Sequence, residues 1–559
     1  MVKAEGTRGA ARTLLKGIGL LVPYATVVVW RALDCLYILQ LERYNPERYQ
    51  TWLRGHRGLL VSRMEVSLQL TLFVLGVVFG KAAITGPILL ALWVVTGFPI
   101  LRRYRSLQVS QRLQWTARAA RVSVVAFGLV WILLLWAITL VGTLVPEAPL
   151  LTGLVAGGIG GMALTGFFMP AIVFWAARAT APLERRLARR FLARAACRMQ
   201  RYPGRVVGIT GSYGKTSTKY VVADLLATRY RVFKTPAGVN STMGITRVIR
   251  EELTDDREVF VVEMSAYGPG EIREVCDLVH PSVGILTAVG VQHLERFGTP
   301  ERIAEAKYEL IAALPAGSPA VINADDPVCL RLAARARAEG KRVLLYGFGE
   351  GIPDLAVRGS EVTVSPRGSR FRVTTWEGQT EVFETLLLGR WNLSNILAGI
   401  GAGLASSVPL AAMREAVAAL HPAPGRLEIR AEGGLTRILD VANANPRGAE
   451  MALEVLQQFS GGSRILITPG MVELGAIEAE ENRRFGEKAA AVCDYAVLVG
   501  PKQTQPIREG LLAKGFSAER ILIAPHADAV ADLLAGIVKP GDILLYENRL
   551  PDTYLEVGS

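Results

Sequence analysis

Residues 206–217 read VVGITGSYGKTS, an apolar run followed by a glycine-rich loop, and a helical pattern follows over residues 220–228. In such a strand–loop–helix unit, backbone N–H groups cradle phosphates, the lysine supplies a point charge and the next hydroxyl ligates Mg²⁺. We therefore predict a phosphate-binding loop, although Ile209 stands where the strict G-x-x-x-x-G-K-[ST] pattern has its first glycine. The predicted binding residues of this loop are Gly211, Gly214, Lys215, Thr216 and Ser217.

The chain beyond this loop alternates short β-branched runs with helical stretches. Runs of this kind occupy residues 259–262, 283–286, 320–322 and 343–346. Strands that alternate with helices predict a largely parallel, doubly wound sheet, whereas residues 355–388 indicate meandering strands. A second alternating section follows a linker at residues 422–425 and predicts a second α/β domain. Its strand candidates are residues 465–467, 496–499, 521–523 and 543–546.

The first 180 residues carry the apolar excess of a chain that is 50% hydrophobic and only 20% charged, with a mean hydropathy of +0.29. Uncharged runs occupy residues 66–80, 82–101, 122–145 and 148–177. The last three are long enough to cross a bilayer, and the first two are read as a hairpin. Residues 17–30 fit an interfacial or re-entrant helix. We therefore expect an α-helical transmembrane domain of about four helices ahead of the α/β part.

Arginine residues predict the orientation of these helices. They crowd the connection between the second and third spans and follow the fourth, while the short connection around Glu147 has none. Because cytoplasmic loops are enriched in Lys and Arg, everything beyond about residue 180 is predicted to be cytoplasmic. The formal net charge of +13 is then explained by topology and anionic headgroups. We expect a multi-pass protein of the inner or plasma membrane with the bilayer as partner and no nucleic acid, since no basic motif is interleaved with aromatic residues.

A length of 559 residues predicts three or four domains. We place a membrane domain at residues 1–190, a central phosphate-loop ATPase domain with a parallel sheet at residues 200–424, and a Rossmann-like C-terminal domain at residues 425–559. The five cysteines are widely spaced without a CxxC pair, so neither a disulfide framework nor a zinc site is indicated. Their pattern is typical of a reducing compartment.

Three further residues outside the loop are candidates for the site. Glu263 ends a strong strand at the carboxyl edge of the predicted sheet, where open α/β sheets bind ligands, and its carboxylate is able to hold a metal ion. His293 follows another strand, and Lys307 lies fourteen residues later on a helical stretch. Taken singly, each is also compatible with an ordinary capping, loop or surface residue.

In combination these motifs resemble the Mur ligases, ATP-dependent enzymes that form amide bonds in peptidoglycan precursors, and most closely the branch that adds D-alanyl-D-alanine. The resemblance covers about residues 205–546. The matching segments are residues 210–216, Asn240 with 243–244, 263–264, 293–298, 306–309, 388–392 with Asn395, 425–428, Asp440 with 443–446, and 470–471 with 473–475.

This resemblance implies a role for each site residue. Lys215 and Thr216 would hold the phosphates of ATP and Mg²⁺, and the resemblance makes Thr216, Glu263, His293 and Lys307 the metal site. Lys307 would be carbamylated, because a plain lysine repels Mg²⁺ whereas a carbamate is an anionic oxygen ligand. Asn395 would contact adenine, Arg426 a phosphate and Asp440 the ribose. The implied catalytic residues are Lys215, Lys307, His293 and Arg426.

The sequence departs from the family in three places. Membrane spans stand where the family has a soluble domain that binds the uridine-diphosphate end of the acceptor. Trp391 replaces a histidine, and Ala442 replaces a frequent tyrosine. Residues 546–554 read YENRLPDTY where a Lys-Gly-Ser-Arg type of segment is expected, which leaves the incoming amine open.

The predicted function is a membrane-anchored ATP-dependent ligase that activates an acceptor carboxylate as an acyl phosphate and joins it to an amino acid or peptide amine. The acceptor is expected to be lipid-linked or membrane-associated. Two alternatives remain open at this point. One is a synthase of the poly-γ-glutamate type, and the other is a membrane-coupled ATPase for transport or signalling.

Overall fold

The computed structural model describes residues 25–26, 28–55, 113–144, 150–349, 351–442 and 444–549. Two predicted spans, residues 66–80 and 82–101, lie outside these residues, as do the connection around Glu147 and most of residues 17–30. The chain divides into two compact units, Met1–Leu187 with Pro551–Ser559, and Ala188–Leu550. Helices account for the described part of the first unit, whereas both sheets lie in the second.

In the first unit a helix over residues 28–41 is followed by α1 (Pro46–Gly55), α2 (Ala117–Leu144) and α3 (Leu150–Arg201). Two stretches, Ala117–Leu140 and Leu164–Arg201, are long and apolar enough to cross a membrane. The helices pack together through residues such as Leu39, Val122 and Met169. Large side chains of α2, among them Trp131 and Trp136, remain exposed. Exposed apolar surface of this kind is typical of a membrane or partner contact.

A nine-stranded sheet with its helices opens the second unit. Its strands are β1 (Arg205–Thr210), β2 (Val232–Lys234), β3 (Val259–Glu263), β4 (Val283–Leu286), β5 (Pro319–Asn323), β6 (Arg342–Gly347), β7 (Leu355–Ser365), β8 (Gly368–Thr375) and β9 (Thr380–Thr385). Its helices are α4 (Lys215–Leu226), α5 (Thr242–Glu251), α6 (Glu271–Val279), α7 (Leu294–Phe297), α8 (Pro300–Ala313), α9 (Pro327–Ala338), α10 (Arg390–Ala405) and α11 (Met413–Ala418).

The order of this sheet is β2-β3-β1-β4-β5-β6-β7-β8-β9. Neighbours from β2 to β7 are parallel, and β7, β8 and β9 pair antiparallel, so the predicted parallel sheet and the predicted meander are both present. Ile209 of β1 lies in register with Glu263 of β3. Glu263 therefore lies at the same carboxyl edge as the glycine-rich loop.

The C-terminal part of the second unit is a six-stranded sheet of order β10-β11-β15-β12-β13-β14. Its strands are β10 (Glu428–Glu432), β11 (Leu435–Asp440), β12 (Arg464–Thr468), β13 (Tyr495–Val499), β14 (Ile521–Ala524) and β15 (Ile543–Glu547). Its helices are α12 (Pro446–Gln457), α13 (Glu478–Ala489), α14 (Gln505–Ala513) and α15 (Ala529–Ala535). The β10–β11 hairpin is antiparallel and the remaining pairs are parallel.

Apolar side chains cover both faces of the nine-stranded sheet. Phe260 and Val262 of β3 pack on one face, and Val259 and Val261 pack on the other, as expected for a strand that is buried on both sides. Helix α10 lies against α4, where a Cβ added to Gly399 would stand only 2.6 Å from Val221 Cγ1. This contact holds the helix that begins at Lys215 firmly on the sheet.

Candidate active site

The glycine-rich loop has a backbone that favours glycine at two positions. Gly211 has φ of 151°, and Gly214, which precedes α4, has φ of 77°. A Cβ at Gly214 would also lie 2.7 Å from Asn395 Oδ1. Helix α4 begins directly after this left-handed residue, at Lys215, five residues earlier than the sequence pattern indicates. The loop therefore directs its backbone N–H groups and the first turn of α4 towards one point.

Lys215 folds back over the loop. Its Nζ donates hydrogen bonds to the carbonyl oxygens of Gly211 at 2.7 Å and Ser212 at 2.9 Å. Burial lowers the pKa of Lys215 to about 8; the nearby Glu263 opposes this shift, and Arg426 adds to it. Among the residues that the structure describes, Lys215 forms no ion pair, and such an ammonium is suited to an incoming phosphate, whose charge would stabilise the protonated form.

Glu263 is the centre of a buried polar cluster. Its Oε1 accepts from Thr216 Oγ1 at 3.0 Å and from Asn240 Nδ2 at 3.1 Å, and its Oε2 lies 3.0 Å from Lys219 Nζ. Burial alone would raise the pKa of Glu263, but the cations of Lys219 and Lys215 hold that pKa below its ordinary value. The carboxylate is therefore ionised and held rigidly.

The side chains at this point fit Mg²⁺. Thr216 and Glu263 present a hydroxyl and a carboxylate within hydrogen-bond distance of each other, and Mg²⁺ prefers such hard oxygen ligands. Among the described residues no three His, Cys, Asp or Glu side chains converge on one point, so the fold offers no ready cage made from these residues alone. A magnesium ion that keeps waters and substrate oxygens as ligands needs no such cage.

His293 lies in the segment between β4 and α7, and its backbone is left-handed with φ of 59°. Its Nδ1 contacts Glu473 Oε2, and its ring lies 4.6 Å from the ring of Tyr267. Burial lowers the pKa of His293, although the Glu473 carboxylate opposes this shift. The imidazole is therefore neutral near pH 7 and is able to bind a cation.

Lys307 lies on α8 and is 2% exposed. Burial, reinforced by the charge of Lys215, lowers its pKa to about 7, although Glu271 and Glu309 oppose the shift. Its Nζ lies 5.6 Å from the centre of the Phe297 ring. A substantial fraction of this amine is neutral at physiological pH, which is the form that reacts with carbon dioxide.

Arg426 and Asp440 bring the C-terminal domain to the site. Burial lowers the pKa of Arg426, and the carboxylates of Asp440 and Glu263 oppose that shift. Burial raises the pKa of Asp440 to about 6, while Arg426 pulls it down. The two side chains thus form a cation and a titratable carboxylate at the carboxyl end of the second sheet.

Asn395 is 4% exposed on α10. Its Oδ1 accepts from Thr218 Oγ1 at 3.0 Å, whereas its buried Nδ2 has no hydrogen-bond partner among the described residues. A buried amide donor without a partner is costly unless a ligand completes it. This geometry fits the predicted contact with an adenine acceptor atom.

A cavity of about 370 Å³ joins these elements. Most of the predicted site residues line it, namely Gly214, Lys215, Thr216, Ser217, Glu263, His293, Arg426 and Asp440. Gly211, Lys307 and Asn395 do not line the cavity. Gly211 lies within the glycine-rich loop, Lys307 on α8 and Asn395 on α10. The roles of these residues stay predictions.

The structure adds residues that are absent from the predicted site. Lys219 is fully buried one turn after Lys215, and the sequence carries no local signal for this burial because the first turn of the helix is polar. Trp391 places its ring 6.3 Å from that of Tyr213 in the glycine-rich loop, so it contributes an aromatic wall where the family has histidine. Arg447 and Ala442 also line the cavity, whereas Asn443 lies outside the described residues.

Comparison with known proteins identifies the family of two domains of this chain. Residues 209–403 match the Mur ligase middle domain, and residues 425–546 match the glutamate ligase domain of Mur ligases. The chain is 30% identical over 309 residues to the UDP-N-acetylmuramoyl-tripeptide--D-alanyl-D-alanine ligase of Escherichia coli, covering 55% of this chain and 67% of that one. It is 29% identical over 354 residues to the Bacillus subtilis enzyme of the same name, covering 62% and 74%.

Solved structures give the same assignment. The MurF ligase of Thermotoga maritima in complex with ADP superposes with a TM-score of 0.57 at 26% identity, over 66% of this chain and 82% of that one. A MurF structure from Acinetobacter baumannii shares the fold with a TM-score of 0.58 at 24% identity, over 65% and 78%. The predicted family, enzyme class and cofactors are confirmed. The chain belongs to the Mur ligase family, whose members are ATP-dependent carbon–nitrogen ligases that use ATP and Mg²⁺.

Proposed function

We propose that this protein is a membrane-anchored ligase of cell-envelope biosynthesis, which joins the amine of an amino acid or peptide to the carboxylate of a membrane-associated acceptor. The observation that carries the proposal is a cavity lined by Lys215, Thr216 and Glu263 of the central domain and by Arg426 and Asp440 of the C-terminal domain. Side chains that would contact phosphate, metal and sugar therefore come from two domains and face one volume.

The chemistry follows from the weakness of a carboxylate as an electrophile. An acceptor carboxylate oxygen attacks the γ-phosphorus of ATP, the bond to the β-phosphate oxygen breaks, and an acyl phosphate and ADP form. The amine nitrogen then attacks the acyl carbon through a tetrahedral intermediate. The C–O bond to phosphate breaks, the nitrogen loses a proton, and amide and inorganic phosphate remain. Negative charge gathers in both steps, so catalysis depends on groups that neutralise it.

The residues of this chain suit those steps. The ammonium of Lys215 and the guanidinium of Arg426 would bind phosphate oxygens, and burial lowers the pKa of both groups. Asp440 would accept from the ribose hydroxyls and Asn395 Nδ2 would donate to adenine. Magnesium, when bound, would neutralise the transferring phosphoryl group, and Thr216, Glu263, His293 and a carbamate on Lys307 would hold it.

The family assignment does not identify the acceptor or the amine that this chain uses. The curated relatives are named as ligases that join D-alanyl-D-alanine to a UDP-N-acetylmuramoyl-tripeptide. In this chain the family match begins at residue 209, and helices α2 and α3 before it include stretches long and apolar enough to cross a membrane. These helices stand where the family has a soluble domain that binds the uridine-diphosphate end of the acceptor. An acceptor presented at the membrane, as a muramoyl peptide on a lipid carrier, fits this difference. The catalytic domains would then face the cytoplasm from a multi-pass anchor.

The test uses the full chain in lipid nanodiscs with ATP, Mg²⁺ and D-alanyl-D-alanine. The same muramoyl tripeptide is supplied on an undecaprenyl diphosphate or on UDP, at equal concentration. We expect ADP release that requires both acceptor and amine and that is at least tenfold faster with the lipid carrier. Equal or faster use of the UDP carrier would refute the lipid-linked acceptor. Phosphate release without either substrate would instead favour a membrane-coupled ATPase.

A further inference from the structure

Glu473 links the C-terminal domain to the central domain through its contacts with the segment that begins at His293. Its Oε2 contacts His293 Nδ1, and its Oε1 lies 3.1 Å from Arg296 Nη2. Its backbone carbonyl accepts from the N–H of Glu295 at 3.5 Å. Two contacts of the carboxylate and one of the backbone thus fix Glu473 against the segment between β4 and α8.

The backbone on both sides of this contact is unusual. His293 has φ of 59° and Glu473 has φ of 66°, and both are left-handed conformations that cost free energy for residues with a side chain. Such conformations persist where the surrounding structure requires them and cluster at functional sites. Gly475 is also left-handed, and a Cβ added to it would lie 3.5 Å from Glu295 Cα. The chain after Glu473 therefore passes close to the backbone of Glu295. The backbone conformations of both loops therefore support the pairing of His293 with Glu473.

The contact determines which ring nitrogen of His293 is free. A carboxylate accepts hydrogen bonds and does not donate them, so the proton of a neutral imidazole lies on Nδ1. The lone pair then lies on Nε2. Tyr267 packs on the ring and limits its rotation. Carboxylates that orient a metal-binding histidine in this way also raise its basicity.

Glu473 is 9% exposed and does not line the cavity, whereas His293 does. It therefore acts through the histidine and has no direct access to a substrate. We infer that Glu473 is a positioning residue, which holds His293 with Nε2 free for the metal. Because Glu473 belongs to the C-terminal domain, metal binding by His293 then depends on the contact between that domain and the central domain. The inference rests on the proposed metal role of His293.

The experiment reads the tautomer directly. The full chain is labelled with ¹⁵N-histidine, of which it has five, and the His293 signals are assigned by their loss in His293→Asn. Spectra are recorded for wild type, Glu473→Ala, Glu473→Gln and the control Glu480→Gln, whose carboxylate pairs with Arg483 on the surface of α13. Magnesium affinity is measured in the same samples with a non-hydrolysable ATP analogue.

We expect a protonated Nδ1 and a free Nε2 in wild type and the control. Glu473→Ala should show a tautomer mixture and bind Mg²⁺ about 10- to 100-fold more weakly. Glu473→Gln should keep the tautomer, because its amide oxygen still accepts from Nδ1–H. An unchanged tautomer in Glu473→Ala, or unchanged Mg²⁺ affinity once the tautomer is lost, would overturn the inference. The tautomer is read without acceptor or amine, so it stands apart from any failure of the proposed ligation.

Discussion

Lys219 Nζ lies 3.0 Å from Glu263 Oε2, and their side chains are 0% and 2% exposed. The other oxygen of Glu263 accepts from Thr216 and Asn240. The carboxylate expected to serve Mg²⁺ is thus held on one side by a buried cation of α4, the helix that follows the phosphate-binding loop. A buried pair of this kind costs little while intact, and the cost appears when one partner is removed.

Replacing Lys219 by methionine should therefore destabilise the protein by about 3–5 kcal/mol, because it leaves the Glu263 charge buried and unpaired. Lys219→Met combined with Glu263→Gln should recover much of that loss, since both charges are then gone. Thermal unfolding in detergent measures both variants. The control is Lys234→Met, which removes a half-exposed pair with Asp224 and should cost less, about 1 kcal/mol. Equal effects of Lys219→Met and Lys234→Met would contradict the structure.

Lys307 provides a test of the carbamate. Lys307→Ala should lower the ligation rate at least about 100-fold by removing an anionic metal ligand, and acetate or formate should restore part of the rate. Lys307→Arg should be worse and beyond rescue, because it places a permanent cation beside Mg²⁺. The control Lys488→Ala changes a surface lysine that pairs with Glu450. Near-normal rates in either Lys307 variant would remove the carbamate from the mechanism.

Asp440 should make nucleotide binding depend on pH. Burial raises its pKa to about 6, so the carboxylate gains a proton as the pH falls through about 6. Only the ionised form accepts from both ribose hydroxyls, so ADP affinity should weaken between pH 7 and pH 5. Asp440→Asn should bind ADP more weakly at pH 7 and lose this part of the pH dependence. ADP affinity is measured by calorimetric titration of wild type and Asp440→Asn at both pH values, so that the protonation of ADP itself affects both proteins equally. An equal change of affinity with pH in the two proteins would argue against the ribose contact.

The membrane orientation has its own test, since the connection around Glu147 lies outside the described residues. A cysteine introduced at Ala148 should react with an impermeant thiol reagent in intact cells. Cys197 is exposed on the second unit and should react only after permeabilisation, which makes it an internal control. Protection of the Ala148 cysteine in intact cells would contradict the predicted four-span topology.

Local patterns predicted most of the fold, because the buried strands of both sheets are short β-branched runs between helices. Three strands escaped prediction, namely β2, β10 and β11. Strand β2 has only three residues, and three of the five residues of β10 are charged. Strands β2 and β10 are edge strands of their sheets, where burial is weakest. The two predicted spans within the described residues coincide with α2 and α3, and α3 continues past residue 177 to Arg201.

The site residues also divide into those that a local sequence pattern predicts and those that only tertiary packing brings together. Lys215 and Thr216 belong to a contiguous loop whose spacing alone indicates phosphate binding. The contact of His293 with Glu473 joins residues 180 positions apart, and no local pattern encodes such a pairing. The contact of Asn395 with Thr218 likewise emerges only when α4 and α10 pack together, and the buried charge of Lys219 only when α4 packs against β3.

The measurement that tests the account most directly follows the acceptor's carboxylate oxygen. The full chain in nanodiscs receives ATP, Mg²⁺, D-alanyl-D-alanine and a lipid-linked muramoyl tripeptide whose carboxylates carry ¹⁸O, with Lys215→Ala as control. Mass spectrometry of the products should find the new amide and one ¹⁸O in each released phosphate, because the acyl phosphate transfers that oxygen, and Lys215→Ala should yield neither. Released phosphate without ¹⁸O, or phosphate formed without an amide, would show that ATP is hydrolysed by water and would contradict the ligase assignment.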